Sequence, residues 1–238
     1  MFSDTIIEQC PDLIDYINKI EMSLKRHEEL HIAKIKRNKV DKLNKTILIQ
    51  DGIIYIQRLL KRSKFLIEGL IRETNNQYTT VSLTILRAHY ETTAALIYFY
   101  DVLHKFHNKE ISLEEYFDKC YTLYMGSRDD SIKNLGINSP KSINVLTMIN
   151  KADSYLDKEN TTETKNLFKD CYLYLCEFAH PNALGTLEGI KEVTSEKYVF
   201  TNKARISKHE IETIVVYLLL SVSNFIKYYE KCLDMLNY

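Results

Sequence analysis

Apolar residues recur every three or four positions along most of this chain. Leu13, Ile17, Ile20 and Leu24, spaced four, three and four apart, form a helical seam behind Pro11 at a first-turn position. They predict a first helix from about residue 11 to the high thirties. Asn38 and Asn44 loosen the pattern before Ile47, Ile53, Ile54, Leu59, Leu60, Phe65, Leu66 and Leu70 outline a second long helix, and a third covers about 76–106. Ser112 with Glu115 and Ser207 with Glu210 have capping-box spacing, and Ser139 before Pro140 marks a further helix start. Another helix from about residue 162 is stopped by Pro181. Within 189–202 apolar and polar residues alternate, predicting one small β-hairpin near 190–201 that turns at Ser195 and Glu196. The fold expected is all-α: a single domain over 1–238 of about seven mostly antiparallel helices, with a long N-terminal hairpin, 11–72, packing on a core bundle, 75–236.

Composition agrees with long helices, since 238 residues hold only 6 Gly and 3 Pro. It excludes collagen, a disordered tail and a disulfide-stapled mini-scaffold. Cys10, Cys120, Cys171, Cys176 and Cys232 include no Cys-x-x-Cys pair and read as reduced, mostly buried thiols. Acidic residues near Met1 are unlike a secretion signal, and no apolar run of roughly 18 residues is evident, so a cytoplasmic protein without a membrane partner is expected. The 32 basic side chains balance the 32 acidic ones, but unevenly: residues 19–64 carry 13 Lys and Arg against 5 Asp and Glu. Such a surplus attracts phosphate backbones, with Lys61, Arg62 and Lys64 as candidate contacts, or forms a solvated helix face.

Three constellations could carry chemistry. His27-Glu28-Glu29-Leu30-His31 fits His-Glu-x-x-His, in which two imidazoles one helical turn apart bind zinc and the glutamate is general base on the bound water. The structural alternative places both histidines where the first seam reaches solvent. In 74–100, a stretch of 27 residues, Arg87, His89 and Glu91 are the only ionisable groups besides tyrosines. That marks a central helix, in which Arg87 and Glu91, one turn apart, are either an ion pair or part of a site. Glu177-Phe178-Ala179-His180-Pro181-Asn182 ends a helix at His180, where the C-terminal dipole favours protonated imidazole, with the Asn182 amide just beyond.

Leu86-Arg87-Ala88-His89-Tyr90-Glu91, followed about ninety residues on by Tyr174-Leu175-Cys176-Glu177-Phe178-Ala179-His180-Pro181-Asn182, resembles uncharacterised bacterial helical proteins with an Arg-x3-Glu helix and a His-Pro helix end. That group is itself similar to the HEPN and abortive-infection bundles of prokaryotic defence and toxin systems. The span from Arg26 to His31 also satisfies the Arg-x4-His core of the HEPN ribonuclease signature. The resemblance implies a metal-independent endoribonuclease, or an RNA-binding relative, needing no cofactor. In it Arg87 holds the phosphate, Glu91 orients Arg87, and His180 exchanges a proton at the ribose 2′-hydroxyl or leaving oxygen. His89, Asn182, Lys61, Arg62 and Lys64 would contact substrate. The alternatives are a helical protein-interaction or dimerisation module, for which a second copy or a partner protein is the expected partner, and a zinc hydrolase using His27, Glu28 and His31.

Overall fold

The computed structural model describes residues 1–35, 45–127, 140–159, 165–182, 184–186, 188, 190–194, 197–200 and 205–236. Among them are eight α-helices: α1 (Asp4–Gln9), α2 (Ile14–Glu29), α3 (Lys45–Asn75), α4 (Thr79–His107), α5 (Leu113–Met125), α6 (Val145–Glu159), α7 (Leu167–Ala179) and α8 (Lys208–Leu236). The fold is all-α. Strands β1 (Ile190–Thr194) and β2 (Lys197–Phe200) pair antiparallel, Ile190 opposite Phe200.

The charge-poor stretch becomes α4, which packs against α3, α5, α6, α7 and α8. Fifteen of its residues are buried, Leu83, Leu86, Tyr90, Ala94, Ile97 and Phe99 among them. A stripe apolar almost all round has to be covered on every side, and five neighbours cover it. Residues 76–78 link α3 to α4, with Gln77 at a φ of 65°. So short a link makes the two helices antiparallel neighbours. Contacts of Tyr90 with Tyr217 and Tyr100 with Tyr228 show instead that α8 runs in the same direction as α4.

Several expected boundaries move for tertiary reasons. Helix α2 stops at Glu29, short of the high thirties, because Gln57 of α3 claims the chain beyond it. The Gln57 amide nitrogen donates to the Leu30 carbonyl at 2.9 Å and its oxygen accepts from Ile32 N at 3.0 Å. Pro140 opens no helix: α6 begins at Val145, where the Asn144 side chain accepts from Leu146 N at 2.9 Å. Helix α7 begins at Leu167, later than residue 162; residues 36–44, 160–164, Ser139, Ser195 and Glu196 lie outside the described residues.

Helix α8 corrects the expectation that no segment could span a membrane, being long and apolar enough by length and composition. In this fold its apolar side chains serve the core: Ile211, Ile214, Val215, Leu218, Val222 and Phe225 are buried, in a helix packed on α2, α3 and α4. All five cysteines are free, and all but Cys176 are buried.

Candidate functional site

His27, expected at the solvent edge of the first seam, is 1% exposed and begins a chain of buried polar groups. Its Nδ1 lies 2.7 Å from the Ser23 carbonyl and its Nε2 2.9 Å from Ser63 Oγ. Ser63 Oγ is 2.8 Å from His89 Nε2, and His89 Nδ1 is 2.8 Å from Ser221 Oγ. Thr93 Oγ1 completes the line, 3.1 Å from Ser221 Oγ. Four helices, α2, α3, α4 and α8, each contribute, and the Phe225 ring stacks on His27. Burial lowers the His27 pKa, partly offset by the Ser23 carbonyl and reinforced by Lys64. Burial, then His27 and Arg62, push His89 down to about 3. His89 thus cannot contact substrate as expected, being fully enclosed with both ring nitrogens engaged.

Beside His27 an open groove of about 300 Å³ is lined by Glu28, His31, Leu60, Lys61, Lys64 and Phe65. Helical spacing explains the set: Lys61, Lys64 and Phe65, at i, i+3 and i+4, share one face of α3. Arg62, a step round the helix, turns to α4 and donates to Thr92 Oγ1 at 3.1 Å, so the expected basic trio is divided. Lys64 pairs with Glu28 at 2.9 Å and Glu68 at 3.7 Å. Among the described residues Lys61 has no ion-pair partner; its ammonium sits 5.5 Å over the Phe65 ring. Phe65, counted in the second apolar seam, is 58% exposed.

The groove does not assemble a zinc tripod. His31 lies beyond the end of α2, both nitrogens of His27 are occupied, and Glu28 is held by Lys64. Among the described residues no three or more His, Cys, Asp or Glu converge to hold a metal ion.

Arg87 and Glu91 do meet, at 3.2 Å, each with a side chain 27% exposed. Tyr172 of α7 joins them: its hydroxyl donates to Glu91 Oε1 at 3.2 Å and its ring lies under the Arg87 guanidinium at 5.7 Å. Burial opposes the charge on Arg87, but Tyr172 and Glu91 outweigh it and raise the pKa; Arg87 Nε is buried without a hydrogen-bond partner. His180, exposed and extended just past the end of α7, has no described bond to either residue. It stands eight residues beyond Tyr172, roughly 12 Å at the helical rise. Asn182 is a structural bracket, donating to Glu177 Oε2 at 2.6 Å and accepting from Gly185 N at 3.1 Å. Nothing in the sequence marks Ser63, Thr93, Ser221 or Tyr172 as site residues, because uncharged polar side chains inside helices stand out only once the partner helix is known. The chain matches no protein-family model, no curated protein and no solved structure.

Proposed function

We propose that the chain is a HEPN-like helical protein of a prokaryotic defence or toxin-type system that binds single-stranded RNA without cleaving it, in the groove between the end of α2 and α3. The carrying observation is Phe65, a large aromatic 58% exposed, beside the ammonium of Lys61, which has no ion-pair partner among the described residues, in an apolar-floored groove. An exposed ring stacks a base, a contact worth about 1–3 kcal/mol, while lysines one turn apart track the phosphates. The surplus of eight positive charges over residues 19–64 supplies long-range attraction. Binding fits this arrangement better than cleavage does, since no described bond joins His180 to Arg87 or Glu91 and no arginine lies four to six residues before it.

Fluorescence anisotropy with a labelled single-stranded RNA tests the reading. Binding should weaken steeply from low to physiological salt. Phe65→Ala should weaken it by about tenfold, Lys61→Glu by at least as much, and Arg62→Ala, on the other face, little. The RNA should remain intact. Binding that ignores both groove substitutions, or no binding at low salt, overturns the assignment.

A further inference from the structure

One carbonyl fixes every hydrogen in the buried polar chain. The Ser23 carbonyl only accepts, so His27 carries its hydrogen on Nδ1 and offers a bare Nε2. That lone pair must be met by Ser63 O–H, which leaves Ser63 Oγ to accept from His89 Nε2–H. His89 Nδ1 then accepts from Ser221 O–H, and Ser221 Oγ accepts from Thr93 O–H. Five hydrogens point one way, from Thr93 in the core to Ser23, and none is wasted.

The same atoms accommodate a sixth hydrogen with the order reversed. His27 then carries hydrogens on both nitrogens, donating to the Ser23 carbonyl and to Ser63 Oγ. Ser63 O–H turns to His89 Nε2, and the His89 hydrogen moves to Nδ1, donating to Ser221 Oγ. Ser221 O–H donates to Thr93 Oγ1, and Thr93 O–H finds the Ser221 carbonyl at 3.4 Å. The balance is one proton taken from solvent, no donor is left unpaired, and the positive charge rests on His27 beside the groove.

We propose that the line Ser23, His27, Ser63, His89, Ser221 and Thr93 is a one-proton switch, in which protonation of His27 leaves its bond to the Ser23 carbonyl in place, reverses every hydrogen bond from His27 to Thr93 across four helices and exchanges the tautomer of His89. The proposal is independent of nucleic-acid binding. The charged and titratable groups around the pair set its range. From α3, Lys61 and Lys64 line the groove beside His27, Lys64 being partly neutralised by Glu28 and Glu68, while Arg62, bonded to Thr92, acts on His89. From α2 come Glu28 and, tied to Glu29 and to Glu230 of α8, Arg26; His31 lies at the groove. The other contacts from α8 are uncharged: Ser221, Phe225 and, bound to Gln57, the Tyr229 hydroxyl. Burial first, and Lys64 after it, oppose an added proton on His27, so the switch works below the ordinary imidazole range.

Imidazole nitrogen NMR on the ¹⁵N-labelled full chain tests it. At neutral pH His27 should be the Nδ1–H and His89 the Nε2–H tautomer. On acidification, at a midpoint below about 6.5, His27 should become doubly protonated while His89 changes to Nδ1–H at the same midpoint. In Ser63→Ala the link is cut, and His89 should keep its tautomer when His27 titrates. If that variant does not fold, Ser221→Ala removes the acceptor that His89 Nδ1–H needs and should lower the His27 midpoint. Opposite neutral tautomers, separate midpoints in the unaltered chain, a His89 tautomer that never changes, or unfolding before His27 titrates would each overturn the switch.

Discussion

His27 stands on a highly charged helix yet is 1% exposed, whereas Arg87, on the most apolar stretch, keeps 27% of its side chain in solvent. The order of sensitivity is therefore the reverse of what local charge suggests. His27→Ala removes a packed ring and leaves Ser63 short of a partner, and should cost roughly 2–4 kcal/mol. Arg87→Ala loses the Tyr172 stack and one partly exposed ion pair, so about 1–2 kcal/mol is expected. Urea unfolding of the two variants decides; equal losses would contradict the burial argument. His89 adds a pH dependence with a definite sign. The folded state holds it neutral down to about 3, whereas an unfolded imidazole protonates near 6.5. Above about 6.5 its contribution is fully present, and as pH falls further the unfolded chain gains a proton that the fold refuses, so stability drops. Urea midpoints measured against pH should show this fall, and His89→Gln should flatten it.

Helix ends divide into those closed locally and those closed from afar. Ser112 Oγ accepts from Glu115 N at 3.1 Å, and Ser207 with Glu210 exchange reciprocal bonds, as their spacing predicts. Helix α4 has Tyr78 at its cap position, with no side chain able to serve. Glu188, over a hundred residues away, does so, its carboxylate accepting from Thr79 N at 3.0 Å and Thr80 N at 2.9 Å. A carboxylate on two free amides at a helix N-terminus is a strong cap. Glu188→Ala should cost about 1–2 kcal/mol and speed amide exchange at Thr79 and Thr80; unchanged exchange would show that the cap carries no stability. Two glycines inside α3 should also part company. A Cβ at Gly69 meets only Ile85 Cδ1 at 3.9 Å, so Gly69→Ala should stabilise by about 0.5–1 kcal/mol. At Gly52 it meets Leu236 at 3.1 Å and Phe99 at 3.3 Å, so crowding should cancel the gain. Thermal melts of the two variants make the comparison.

At the scale of the molecule, α4 shares interfaces with five helices, so damage at its centre reaches most of the described fold. Ala94 is fully buried there. Ala94→Leu forces three extra carbons into that junction and should cost about 1–3 kcal/mol. Far-UV and near-UV circular dichroism should lose signal together, whereas a surviving near-UV signal after helix loss would mean that α4 does not hold the interfaces together.

The all-α class, the long helices and the central place of 74–100 were determined by the sequence, because periodicity, scarce Gly and Pro, and missing charge act through neighbours three or four residues away. Local chemistry likewise marked the starts at Ser112 and Ser207. Where α2 stops was decided by Gln57, and what caps α4 by Glu188, both distant in sequence. The candidate site divides in the same way. The Arg87–Glu91 contact was legible because one helical turn brings the pair together on any helix. That His180 ends its helix exposed, that Phe65 faces water, and that two histidines share a serine were settled only when α2, α3, α4, α7 and α8 packed. A side chain's hydrogen-bond partner and its access to water belong to the neighbouring helix as much as to its own, and periodicity along one helix carries no information about which neighbour that is.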